Sequence, residues 1–177
     1  MATHAYAIAD LHIDHPNIAK LRGFDDSPLH DEMVVDSINS TVNPNDHLYL
    51  LGDIVIGKAG WKTIKDIVCR NIILVPGNHC GERSRIQHDI FKRVMGSYAR
   101  ELPHSKIGAV FTHIPIHPDC LDRWTVNVHG HLHEQSIADD RYLCVSAEHL
   151  NYRPIGMETI TEIFLSRGIH GKDKTPL

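Results

Sequence analysis

Asp10-Leu11-His12, Gly52-Asp53, Gly77-Asn78-His79, His113 and Gly130-His131-Leu132-His133 are where this chain concentrates carboxylate, carboxamide and imidazole groups. These are ligand types for a divalent cation. Neutral imidazole mixed with oxygen donors suits manganese, iron, zinc or nickel, whereas calcium takes an all-oxygen shell. The imidazoles at 131 and 133 have the spacing of one face of an extended chain, as do the carboxylate and imidazole at 10 and 12. Gly77 lets the backbone turn sharply before Asn78, and Gly130 clears space beside its two histidines. Two aspartates, an asparagine and four histidines exceed what a four-coordinate zinc site consumes. The set fits two cations sharing a carboxylate, which in such centres lie about 3.5–4 Å apart and clamp the attacking and leaving oxygens of a displacement. Histidine is in excess over the whole chain, 15 of 177 residues, and dispersed rather than gathered in a tag.

The positions of these residues along the chain turn an inventory into a site. Residues 5–9 read as a strand that stops at Asp10, 47–51 as a strand halted by Gly52-Asp53, and 71–75 as a buried strand ended by Pro76-Gly77. Residues 107–112, 125–129 and 142–146 read as further strands, with His113 and His131 just past the first two. Residues 12–28 look like a long loop, and apolar spacing predicts helices over 30–41, 61–68, 82–95 and 157–166. Strand, helix, strand, helix, strand in the first half implies parallel pairing through crossovers, and the strand-rich second half implies a second sheet. The expected architecture is α/β: two mixed β-sheets packed as a sandwich flanked by helices. It forms a single domain over residues 1–167, with a flexible tail over 168–177. Its ligand-binding edge lies at the carboxyl ends of the strands.

The bulk composition narrows the function. A hydrophobic content of 42% and a charged content of 23% describe a globular core. A net charge of −4 argues against a broad basic face for long nucleic acid, though not against a nucleotide or a nucleic-acid end as substrate. Cys69, Cys80, Cys120 and Cys144 lack C-x-x-C spacing, which fits reduced thiols and a cytoplasmic location. Neither a signal peptide nor a membrane span is expected. Zinc proteases need a histidine at 137, where Ile137 stands, and the P-C-x-x-C of nucleobase deaminases is absent.

The ordered motifs Asp10-x-His12, Gly52-Asp53, Gly77-Asn78-His79, His113 and Gly130-His131-x-His133 resemble those of the calcineurin-like metallophosphoesterases. The wider text, including DLHIDHPNI, LVPGNH, VNVHGHLH and VSAEHLNYRPI, resembles a small bacterial and bacteriophage branch. The resemblance implies a dinuclear phosphoesterase that hydrolyses phosphate esters with a metal-bridging hydroxide. In it Asp10, His12, Asp53 and His133 hold one ion, and Asp53 bridges to a second completed by Asn78, His113 and His131. Mn2+ is the expected metal, with iron, zinc or nickel as alternatives. His79 is then a catalytic residue that contacts the phosphate and assists the leaving group, and Asp53 is catalytic as the bridge.

One departure from the pattern is Cys80, where the family commonly has an acid beside the histidine; a thiol there is open to oxidation or inhibitory metal capture. His15, Asn17 and Arg83 are expected to contact substrate, with Arg85 as a further phosphate partner. His129 shares strand parity with His131 but is expected to support the site rather than ligate. The expected substrate is a phosphodiester or cyclic phosphate, with a phosphomonoester as the alternative. A non-catalytic metal-binding scaffold on the same fold is the reading from another class, and it is disfavoured by the presence of His79.

Overall fold

Alternation along the first three strands sets the layers of the molecule. In a computed structural model that describes residues 3–80 and 86–171, β1 (Ala5–Ile8), β2 (His47–Leu51) and β3 (Asn71–Val75) pair in parallel. Ile8, Leu48, Leu50, Ile72 and Leu74 enter one core with Val34 and Ile38 of α2 (Ser27–Asn39) and Trp61 and Ile64 of α3 (Gly60–Ile64). Ala7, Tyr49, Leu51, Ile73 and Val75, one residue out of phase, enter a second core with Ala109, Phe111, Val126 and Val128.

That second core is the filling of a sandwich. Its other slice is β5 (Tyr98–Glu101), β6 (Gly108–Thr112), β7 (Val126–His129) and β8 (Tyr142–Cys144), hydrogen-bonded in that order with β5 antiparallel to β6 and the rest parallel. The first sheet runs β4-β3-β2-β1-β9, where β4 is Arg93–Val94 and β9, Ile155–Gly156, is antiparallel to β1. Both sheets are mixed, as expected. Met157, Ile160 and Phe164 of α4 (Met157–Ser166) join the inter-sheet core.

The two sheets fuse at one corner, and this corner builds the site. Ala9 N–H donates to Val145 O at 2.9 Å and Ala147 N–H donates to Ala9 O at 3.0 Å, so the chain beyond β1 pairs with the chain beyond β8. The loop following β1 thereby meets the turn following β7.

Several expected elements differ. Residues 82–95 were expected to be helical, yet those described from 86 form a 3-10 turn, His88–Ile90, and then β4. Ile86, Ile90, Phe91 and Val94 do pack on the first core. The backbone, however, is drawn to the free edge of β3: Lys92 N–H donates to Ile72 O at 2.8 Å and Met95 N–H to Leu74 O at 2.9 Å. Covering a sheet edge outweighs a helical apolar spacing here.

The loop expected over 12–28 contains α1 (Pro16–Leu21) and the first two residues of α2. Asp26 caps α2 by accepting from Leu29 N–H at 3.0 Å, with Pro28 in the first turn, a start signal that the apolar spacing alone did not register. The helix expected over 61–68 tightens after Ile64 into i→i−3 bonds such as Ile67 N–H to Ile64 O at 3.2 Å. Of the segment expected to be a tail, Ile169 packs on the inter-sheet core, and residues 172–177 lie outside the described residues. No helix among the described residues is long and apolar enough to cross a membrane.

Candidate metal centre

Five of the expected ligands sit in the left-handed backbone region: Asp10 (φ 58°), His12 (52°), Asp53 (49°), His131 (71°) and His133 (51°). Such φ values are uncommon outside glycine and concentrate at functional sites, although Asp and His tolerate them better than β-branched residues. The expectation that 10 and 12, or 131 and 133, share the face of an extended chain is therefore corrected. Each segment is a turn, and the turns aim the side chains inward.

The side chains gather into two groups. Asp10, His12 and His133 form one, and Asp53, His113 and His131 the other; within each group the ligand atoms all lie within 4.8 Å of one another. His131 and His133 fall in different groups, their rings lying 5.1 Å from His113 and 5.0 Å from His12 respectively. The two His/Asp groups fit a dinuclear metal centre.

Hydrogen bonding commits some atoms and leaves others open. Asp10 Oδ2 accepts from Ser146 Oγ at 2.7 Å and from His131 N–H at 2.8 Å. Asp10 Oδ1 and both ring nitrogens of His12 are buried without a hydrogen-bond partner among the described residues. Burial of this kind is costly unless a partner is supplied, and a cation supplies it. His113 Nδ1–H donates to Leu51 O at 2.9 Å, which leaves Nε2 facing Asn78 Oδ1 at 2.8 Å and Asp53 Oδ2 at 3.3 Å. If neutral, His113 would oppose its lone pair to two oxygen acceptors, so the trio needs a proton or a metal at its centre.

Glycine makes the approach close enough. A Cβ on Gly130 would stand 2.5 Å from both Ala9 Cβ and Asp10 Oδ2, so the glycine clears space as expected. Gly77 serves a different need from the sharp turn expected of it. It is not among the glycines with positive φ, and its added Cβ would collide with Asp53 Oδ1.

Protonation follows from the same contacts. Burial drives the His12 ring down to about 3, keeping one nitrogen's lone pair free. Burial also raises the Asp10 carboxyl, against the opposing pull of Ser146 and His113. Burial pushes Asp53 up and His113 down, but their mutual hydrogen bond and charge outweigh it, holding the carboxyl low and the imidazole high.

Two residues that the motifs did not flag support the first group. His133 Nδ1–H donates to Glu148 Oε1 at 2.8 Å, and the same oxygen accepts from Arg22 at 2.6 and 3.0 Å. Arg22 also donates to Asp10 O at 2.7 Å and Leu11 O at 3.0 Å, and to His30 Nε2 at 2.9 Å, whose Nδ1–H reaches Asp31 at 2.8 Å. A carboxylate on the far nitrogen of a ligand histidine fixes its tautomer and orientation.

The remaining expected residues divide. Asn78 and His79 are exposed at the rim. His79 donates its backbone N–H to Asp53 Oδ1 at 2.9 Å and holds Nε2 4.0 Å from Asp53 Oδ2. His15 caps α1, its ring 5.6 Å from that of His12, and Asn17 is exposed on the same helix. Arg83 and Arg85 lie outside the described residues. His129 is buried, outside both groups, with Nδ1 on Gly130 O at 2.8 Å. Cys80 is only 1% exposed and packs in the first core, and burial pushes its thiol up. The sequence expectation of an oxidisable, metal-capturing thiol is corrected accordingly.

Fold and site together define an α/β sandwich with a candidate dinuclear metal centre where its sheets join. No family model matches the chain. The chain is similar to the uncharacterized protein MJ1445 of Methanocaldococcus jannaschii, 24% identical over 172 residues and covering 89% of each. It shares its fold with the protein of unknown function AQ665 from Aquifex aeolicus, at a TM-score of 0.73 and 22% identity over 92% of this chain and 100% of that one. More remote are the Pseudomonas putida nuclease MPE (TM-score 0.49, 19% identity, 73% of this chain and 61% of that one) and Chaetomium thermophilum Vps29 (0.43, 13%, 83% and 75%).

Proposed function

We propose that the chain is a dinuclear metal-dependent phosphoesterase acting on phosphodiesters or cyclic phosphates. The observation that carries this reading is the pair of His/Asp groups, the first of which holds buried donor atoms without a hydrogen-bond partner among the described residues. Asp10, His12, His133 and Asp53 would hold one cation, and Asp53, Asn78, His113 and His131 the other. When bound, the pair supplies an acidified water and neutralises charge on the phosphate. Mn2+ is the proposed metal.

The chain's own residues supply the rest. His133 and His113 keep their outer nitrogens occupied by Glu148 and Leu51 O, so the inner ones stay in place. His79, 59% exposed in its side chain with Nε2 4.0 Å from Asp53 Oδ2, is the residue that would donate a proton to the ester's leaving oxygen. Exposure of both Asn78 and His79 among the described residues favours an ester with two substituents.

His79→Ala should lower turnover by about two to four decades while leaving metal content at the wild-type level, measured by kinetics beside elemental analysis. Manganese-dependent release of nitrophenol from bis-(p-nitrophenyl) phosphate should exceed that from p-nitrophenyl phosphate. The reverse order would favour a monoesterase. No turnover of either with manganese, iron, zinc or nickel would favour the metal-binding scaffold.

A further inference from the structure

Beside the metal centre lies a hollow of about 810 Å3, between α1 and the turns over 131–135 and 148–152. It falls within the size range of small-molecule sites, roughly 300–1,000 Å3. His131 and His133 are in its wall, and they belong to different ligand groups. A phosphate held across both groups therefore has this space next to it for an attached alcohol.

The wall has a specific chemistry. Ile18, Leu21 and Leu132 give it an apolar side, with Leu21 82% exposed. Gln135 and Asn151 add exposed amides, each able to donate and to accept. Arg22 is the one lysine or arginine among the described lining residues, and its guanidinium is committed to Glu148 and to the carbonyls of Asp10 and Leu11. Glu134 adds negative charge, while that of Glu148 is met by Arg22. Asn151 and Tyr152 hold consecutive left-handed conformations, φ 47° and 62°, a costly backbone of the kind that clusters at ligand sites.

We propose that this hollow is the subsite for the organic group of the ester, and that it takes an uncharged nucleoside. The inference rests on the phosphoesterase reading for the placement of the phosphate. A further phosphate or a running nucleic-acid backbone would meet Glu134 and, among the described lining residues, no lysine or arginine other than the committed Arg22. An acyl chain would match the leucines and leave the amides unused. A nucleobase presents apolar faces with a donor and acceptor edge, and matches both halves of the wall.

The test has a binding arm and a kinetic arm. Thymidine, added to the protein with and without Mn2+, should shift the methyl NMR signals of Ile18, Leu21 and Leu132 saturably. Leu21→Asp and Gln135→Ala, both at exposed positions that leave the fold intact by thermal unfolding, should abolish the saturation. With Mn2+, thymidine 5′-(p-nitrophenyl) phosphate should be preferred to methyl p-nitrophenyl phosphate, and Leu21→Asp should lower the ratio of their kcat/KM values about tenfold, through KM. Thymidine shifts without turnover of either ester would leave the nucleoside site standing and remove the phosphoesterase reading. Turnover of both esters at equal kcat/KM without thymidine shifts would do the opposite. Preference for decyl p-nitrophenyl phosphate would overturn the nucleoside assignment in favour of a lipid.

Discussion

Asp53→Asn should lower Mn2+-dependent hydrolysis of bis-(p-nitrophenyl) phosphate on the order of a thousandfold and abolish the thermal stabilisation that Mn2+ confers. The amide matches the carboxylate in shape and keeps an oxygen for the His79 N–H, 2.9 Å from Oδ1 in the wild type. The turn that holds it should therefore survive. What changes is charge. Asp10 and Asp53 are the only carboxylates in the two ligand groups among the described residues, so the variant halves the negative charge facing two dications. The loss reaches both ions, because Asp53 is the ligand proposed to serve each. At a metal concentration about one hundredfold above the dissociation constant, each bound ion contributes about 2.7 kcal/mol to wild-type stability, or roughly 5–10 °C in Tm per ion for a chain of this length. Scanning fluorimetry with and without Mn2+ reads that shift independently of turnover. A variant that kept both the shift and the activity would remove Asp53 from the centre.

How much of this centre was legible in the sequence depends on whether a residue acts locally. The strands at 47–51 and 71–75 and the helix at 157–166 were readable to the residue, because each apolar run is bounded by its own turn signal. The arrival of Asp10, Asp53, Asn78, His113 and His131 at strand ends follows from those boundaries. The backbone at the ligands was not legible. Spacing assumes an extended chain, whereas positive φ at Asp10 and His133 is imposed by the joint between the sheets, through pairs such as Ala9 N–H to Val145 O. Segment 86–95 misled for a related reason: Ile86, Ile90 and Val94 bury the same surface on an edge strand as on a helix. Arg22 and Glu148, 126 residues apart in the chain, have no local spacing that would pair them, although Glu148 lies within the resembling stretch VSAEHLNYRPI.

That pair carries the second large effect. Glu148→Gln should destabilise the fold by about 3–5 kcal/mol and weaken Mn2+ binding about ten- to a hundredfold. The Arg22 side chain is 4% exposed and 2.6 Å from the Glu148 carboxylate, so the neutral amide leaves a guanidinium buried without its counter-charge. The effect on metal arises separately, from the weaker acceptor left on His133 Nδ1.

Acid should expose the same pair. Burial raises the Glu148 carboxyl, but His133 and Arg22 outweigh it and hold it at about 2, below its ordinary value of 4.5. A carboxyl depressed on folding contributes stability that is complete above its unfolded value and fades as pH falls through the folded one. Wild-type stability should therefore drop more steeply than that of the variant between about pH 4.5 and pH 2. The double variant Arg22→Met, Glu148→Leu separates the two roles. Removing both charges avoids the stranded ion and should recover part of the lost Tm, short of what the Arg22 bonds to Asp10 O and Leu11 O contribute, while His133 still lacks its acceptor and Mn2+ affinity stays low. Recovery of affinity together with Tm would show that Glu148 holds the fold and does not position His133.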